Sequence, residues 1–157
     1  MNRKGQSLIE LLVALSISVI IITVVSKAVI SSLNNVQYSK ETDQATQYAS
    51  EGMEIVRMIR NNNYTGFKNY TGVYCLAKIQ NSQPPTDLGS PEGSCLTQNV
   101  DNFIRSVKIE QNPGCGTNLA KVIVTVAWYD GKCPSGNPCN TVLLTSCFST
   151  VNPIQAP

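Results

Sequence analysis

The sequence predicts an α+β protein: a long N-terminal helix, membrane-spanning in its first half and amphipathic in its second, packed against a small antiparallel β-sheet of three to four strands and stabilised by disulfides. Three observations predict it. Residues 8–25 read LIELLVALSISVIIITVV, long and apolar enough to cross a bilayer as a helix. Ala45, Ala49, Gly52, Val56 and Ile59, joined by Tyr48 and Ile55, then recur at the three-to-four spacing of one buried stripe. Beyond residue 100, short β-branched segments alternate with turns in a stretch that also holds most of the six cysteines. With 157 residues and one membrane helix, there is room for one modest soluble domain.

The apolar run follows Arg3-Lys4-Gly5 and contains one charge, Glu10. It exceeds a usual signal-peptide h-region, and no cleavage site of small residues follows it, because Ser26-Lys27-Ala28-Val29-Ile30 continues in helical style. The junction open to a protease precedes the run, at Gly5-Gln6. A lone ionisable group at membrane depth costs about 2.5–3.5 kcal/mol and is normally kept for a partner or a function. Glu10 either meets such a partner or snorkels to the interface near Lys4. Arg3 and Lys4 favour a cytoplasmic N-terminus, which places Lys27 and all that follows outside.

No proline occurs before Pro84, and Asn61-Asn62-Asn63 with Gly66 form a stop signal. One helix is therefore expected from about Gln6 to Asn62, with residues 6–33 in the membrane and 34–62 as its amphipathic half. Gly52 is either a place where a strand approaches closely or a tolerated helix glycine. Glu51, Glu54, Arg57 and Arg60 read as a solvated face, with Glu54 able to reach Arg57 at i+3.

Residues 63–100 form a turn-rich connection with Pro84, Pro85 and Pro91, in which Val73, Tyr74, Leu76 and Ile79 make one short strand at most. Residues 103–110, 121–129 and 141–149 read as three strands in an antiparallel meander, followed by a tail, within 101–157. In the middle strand Val122, Val124, Val126 and Trp128 share the face expected to lie on Ala49, Gly52 and Val56, so Trp128 is expected in the core.

All six cysteines lie beyond the membrane run, as disulfides in an oxidising compartment would. Six cysteines allow fifteen connectivities. Cys133 and Cys139 share the short loop CPSGNPC between the second and third strands, which favours a local bridge. Cys75 and Cys95 then close the proline-rich connection, and Cys115 and Cys147 meet where an antiparallel hairpin brings them to one end of the sheet.

Several functions find no support. There is no histidine and no CxxC pair, so neither a Ser-His or Cys-His couple nor a zinc site is expected. No phosphate loop is present, so no enzyme activity and no cofactor are expected. From residue 34 onward nine Lys/Arg balance nine Asp/Glu, a neutral ectodomain with no electrostatic basis for nucleic-acid binding.

The stretch RKGQSLIELLVALSI resembles the prepilin N-terminus of type IV pilins and type II secretion pseudopilins. The resemblance covers the first 20 to 30 residues and implies a pilin-like fold. It also implies that a prepilin peptidase removes residues 1–5 as a leader by cutting after Gly5, which makes Gln6 the new N-terminus and Glu10 the fifth mature residue. Many members begin with Phe or Met and are N-methylated there, whereas this chain begins with Gln6. In the family, the glutamate of one subunit neutralises the freed amine of its neighbour and helps set the axial stagger. That role would fall to Glu10 and Gln6. The segment AxxxAxEGxExxRxxR, from Ala45 to Arg60, is also similar to the second half of the N-terminal helix in minor pilin-like proteins. LLVALSI is similar to the start of I-type pseudopilins and V-type minor pilins, and Lys27 stands where major pilins commonly carry a kinking proline. In this family the connecting region, here 63–100, is variable and often displayed.

The resemblance thus implies a minor pilin or pseudopilin subunit. It would be stored as a single-pass protein in the bacterial cytoplasmic membrane and drawn by an assembly platform protein into a type IV pilus, a fimbrium, or a type II secretion-like filament outside. The competing expectation is a single-pass anchor displaying a disulfide-rich binding module that forms no filament.

Overall fold

The computed structural model describes residues 3–78, 86–111, 114–131, 133–134 and 136–150, with the side chains of residues 3–7 outside that description. The chain divides into two compact units, residues 1–41 and 42–157, and each is described by itself.

The first unit is the leading part of one helix, α1 (Arg3–Asn62). Its described side chains from Leu8 to Lys40 are exposed, including the Leu, Ile and Val residues of the apolar run. Length and apolar composition suffice for a membrane crossing. Its hydroxyls do not oppose that. Ser16, Ser18 and Ser26 each donate to the carbonyl four residues back, and Thr23 to that of Ile20, all at 2.8 Å. Each polar hydrogen is thus satisfied inside the helix, which hydrocarbon requires.

The second unit opens with the amphipathic end of α1. Ala45, Ala49, Ile55, Val56 and Ile59 are fully buried, so the stripe read from spacing is the core-facing stripe. The helix ends at Asn62, where the next asparagine begins a new turn. The Asn63 side-chain oxygen accepts from the Gly66 amide at 2.8 Å and caps α2 (Tyr64–Phe67), which drops Phe67 into the core.

Four strands follow: β1 (Gly72–Cys75), β2 (Phe103–Gln111), β3 (Leu119–Trp128) and β4 (Asn140–Ser149), antiparallel and in sequence order across the sheet. The three strands expected beyond residue 100 are present. A fourth, β1, comes from the connecting region rather than from 101–157, and pairs Tyr74 with Val107. Val73 and Tyr74 lie in this short strand and Leu76 is buried just beyond it, while Ile79 falls outside the described residues.

Register fixes which side chains meet the helix. Val107 pairs with Val124 and Ile109 with Val122, while Phe103 pairs with Trp128, and all six are buried. Trp128 is a core residue, in ring contact with Phe103. The helix stripe and this sheet face form a single apolar cluster, which supplies the main driving force for a domain of this size.

Disulfides join Cys75 to Cys95, Cys115 to Cys147 and Cys133 to Cys139. These are the three pairs laid out from the loop positions. The first clips the connecting region to β1, helped by the Glu92 amide donating to the Val73 carbonyl at 2.9 Å.

Candidate functional site

Two features carry chemistry, one in each unit. In the first, Glu10 lies in α1 between Ile9 and Leu11, all three exposed, so a carboxylate interrupts an apolar helix surface. Gly5 and Gln6 lie in the same helix. The side chain of Gln6 falls outside the described residues, as does that of Lys4, the neighbour to which Glu10 would snorkel.

The second feature is a polar clamp inside the soluble unit, centred on Arg105. This arginine occupies β2 in phase with Phe103, Val107 and Ile109, on the face that meets the helix, and is fully buried. Each of its three guanidinium nitrogens nevertheless has an acceptor. Nε donates to the Leu76 carbonyl at 3.0 Å, Nη2 to Ala77 at 2.8 Å, and Nη1 to the Tyr48 carbonyl on α1 at 3.0 Å. Nη1 also lies 3.2 Å from the Glu51 carboxylate. Burial lowers the pKa of the guanidinium, and the charge of Glu51 opposes that shift. The backbone of Arg105 is held as firmly: Asn99 accepts from its amide at 2.7 Å and donates to its carbonyl at 2.8 Å.

One arginine therefore ties together α1, the segment after β1 and the turn before β2. Its stem needs room, and Gly52 provides it. A Cβ at Gly52 would meet Val124 Cγ1 at 3.0 Å and Arg105 Cδ at 3.1 Å. Of the two readings of this glycine, close approach is the one the structure selects.

Around the rim, the Tyr48 hydroxyl donates to Asp101, which also accepts from Lys78 Nζ at 3.2 Å through both carboxylate oxygens. The hydrogen bond from Tyr48, then those from Lys78, hold the Asp101 pKa below the usual carboxylate range, and the same bond raises that of Tyr48.

The helix charges thus need a partial correction. Glu54 and Arg57 form the expected exposed pair, but Glu51 and Arg60 are not merely solvated. Glu51 faces Arg105, and Arg60 donates to the Ser149 carbonyl at 2.9 Å while stacking on Tyr64. Arg57 also lies over the Phe148 ring, 5.7 Å from its centre. Periodicity sees the face of a helix but not which partner a long side chain reaches across to.

Asp130, Cys133 and Cys139 bring their ligand atoms within 4.8 Å of one another, but the two sulfurs are bonded to each other and offer no thiolate.

A membrane-capable apolar helix that continues into the core of a four-stranded antiparallel sheet, with three disulfides, defines the α+β pilin-like class. Residues 1–26 match the family model of the prokaryotic N-terminal methylation motif, the prepilin-type cleavage motif of type IV pilins and pseudopilins. This motif supports a type IV pilin-like or pseudopilin protein, and it implies processing by prepilin peptidase and assembly with other pilins. The motif and the apolar helix are consistent with a membrane-anchored, single-pass protein. No curated protein and no solved structure matches the chain.

Proposed function

We propose that the chain is a minor pilin or pseudopilin subunit, cut after Gly5 and assembled through α1 into a type IV pilus or type II secretion-like filament. The observation that carries this reading is Glu10: a lone carboxylate on an apolar, exposed helix surface, five residues after the glycine of a motif matched over residues 1–26. Cleavage creates an α-amine at Gln6, a second charge that hydrocarbon penalises. Side-by-side packing lets the Glu10 carboxylate of one subunit meet the Gln6 amine of another, and two expensive charges become one pair. Because the pair forms only at one axial offset, it also helps set the stagger.

Under this reading α1 waits in the cytoplasmic membrane with Arg3 and Lys4 on the cytoplasmic side, and the assembly platform draws the subunit outward. The disulfides fit an oxidising destination. Lys27, in place of a kinking proline, and the LLVALSI start favour a minor or initiating subunit over the main shaft subunit. The protein works as an assembly component, not as an enzyme.

Replacing Glu10 by Val tests the proposal. Incorporation into sheared filaments, measured by immunoblot, is lost while the protein stays in the membrane fraction. Unchanged incorporation of E10V refutes the role given to Glu10, and absence of the wild-type chain from sheared filaments leaves the single-pass display module as the reading.

A further inference from the structure

We infer that the Cys133–Cys139 bridge is a thiol–disulfide exchange site, opened by an external thiolate that attacks Cys139 and displaces Cys133. The two sulfurs sit in unlike surroundings. Cys133 is half-buried, and its Sγ accepts backbone N–H bonds from Asp130 and from Cys139, each at 3.2 Å. Two amide dipoles aimed at one sulfur favour negative charge there, so Cys133 is the better leaving group. Cys139 is exposed, and its Sγ lies 3.8 Å from an Asp130 carboxylate oxygen. The Asp130 carboxylate lies within 4.8 Å of both sulfurs and does not by itself distinguish them. Access therefore selects Cys139 as the sulfur attacked, and the two N–H bonds select Cys133 as the sulfur released.

The loop around the bridge is built to survive its opening. The Cys133 amide donates to the Asp130 carbonyl at 3.2 Å and the Asn137 amide to that of Pro134 at 3.3 Å, two backbone bonds that do not involve the sulfurs. β3 and β4 stay paired from Trp128–Asn140 inward. The bridge spans only 6 positions, against 20 and 32 for the other two, so it contributes least to holding distant segments together.

The step balances as an exchange. A thiolate RS⁻ forms a new S–S bond to Cys139, the Cys133–Cys139 bond breaks, and its electron pair leaves on Cys133 as a thiolate stabilised by the two N–H groups. No net oxidant or reductant is consumed. Reversal by Cys133 releases the thiolate and restores the loop. The attacking group is a thiolate, on a small molecule or on a protein cysteine.

The test uses the full chain in detergent micelles. One arm adds reduced glutathione. The other adds a reduced CxxC-type dithiol protein whose second cysteine is serine, so that a mixed disulfide is trapped. After acid quenching and alkylation, peptide sequencing by mass spectrometry locates each label. The expected result, in either arm, is an adduct on Cys139 with free Cys133, forming at least about ten-fold faster than any label on Cys75, Cys95, Cys115 or Cys147. The arm that reacts identifies the source of the thiolate. Equal opening of all three bridges, an adduct first on Cys133, or no adduct in both arms would overturn the inference.

Discussion

Arg105 Nη1 on β2 lies 3.2 Å from the Glu51 carboxylate on α1, with the arginine fully buried and the glutamate only half-buried. The asymmetry decides what the contact does. A fully desolvated ion pair seldom adds net stability, but an arginine whose remaining donors cap three backbone carbonyls is costly to remove.

Replacing Arg105 by Ala strands the carbonyls of Leu76 and Ala77, removes the additional bond to the Tyr48 carbonyl and opens a cavity, so a loss of about 3–5 kcal/mol is expected. Arg105→Lys recovers little, since an ammonium cannot reproduce the planar fork. Glu51→Gln costs less than either, about 1 kcal/mol, because water already reaches that side chain. Urea unfolding followed by the fluorescence of Trp128, the single tryptophan, reads all three. Equal stability of wild type and Arg105→Ala would remove the clamp from the account.

Gly52→Ala sets a gain in helix propensity of about 1 kcal/mol against crowding. Arg105 Cδ and Val124 Cγ1 lie too near to admit the methyl without moving, and Arg105 is pinned by its hydrogen bonds. Crowding therefore wins, with a net destabilisation of about 1–2 kcal/mol. A stabilised Gly52→Ala variant, in the same unfolding assay, would show that the glycine is merely tolerated.

The rim cluster predicts a dependence on pH with opposite signs at the two ends. Because the folded pKa of Asp101 is lowered, its contribution is present above the unfolded value and is lost as pH falls through the folded one, below about pH 4. Because that of Tyr48 is raised, its contribution is full below the unfolded value and is lost as pH climbs through the folded one, above about pH 10. Tyr48→Phe flattens the alkaline limb and weakens the acid one, and Asp101→Asn flattens the acid limb. Melting temperatures across pH 2–11 give the profile, and two unchanged limbs in both variants would contradict it.

Disulfide removal should scale with the loop closed. Replacing Cys115 and Cys147 together by Ser opens a separation of 32 and costs about 3–4 kcal/mol in the entropic model, against about 2 kcal/mol for Cys133 and Cys139 at a separation of 6. A larger loss for the shorter loop, by chemical denaturation, would show that local geometry outweighs chain entropy.

Much of the fold was legible because burial writes itself into spacing. Ala45, Ala49, Val56 and Ile59 recur as one turn-spaced stripe, and Val122, Val124, Val126 and Trp128 as one alternating set, so the two halves of the core could be matched before any contact was known. The cysteine pairs followed, since an antiparallel hairpin leaves Cys115 and Cys147 at one end. Arg105 was missed although a signal was present: it sits in the inward phase of Phe103, Val107 and Ile109. A charged residue in an apolar phase either breaks the strand or is buried with partners. Those partners, Leu76, Ala77 and Tyr48, lie 29, 28 and 57 positions away, beyond any local pattern. β1 was faint for the same reason, being four residues long and held by pairing with β2.

Assembly through Glu10 rests on the conversion of residues 1–5 into a leader, because only that cut frees an amine at Gln6 for Glu10 to meet. Intact-mass analysis of the chain expressed in a cell that carries prepilin peptidase tests it directly. The predicted result is a mature chain beginning at Gln6, with the full precursor persisting when the peptidase gene is deleted or Gly5 is replaced by Ile. A chain that retains Met1 beside an active peptidase, or one that begins beyond Lys27, would contradict it.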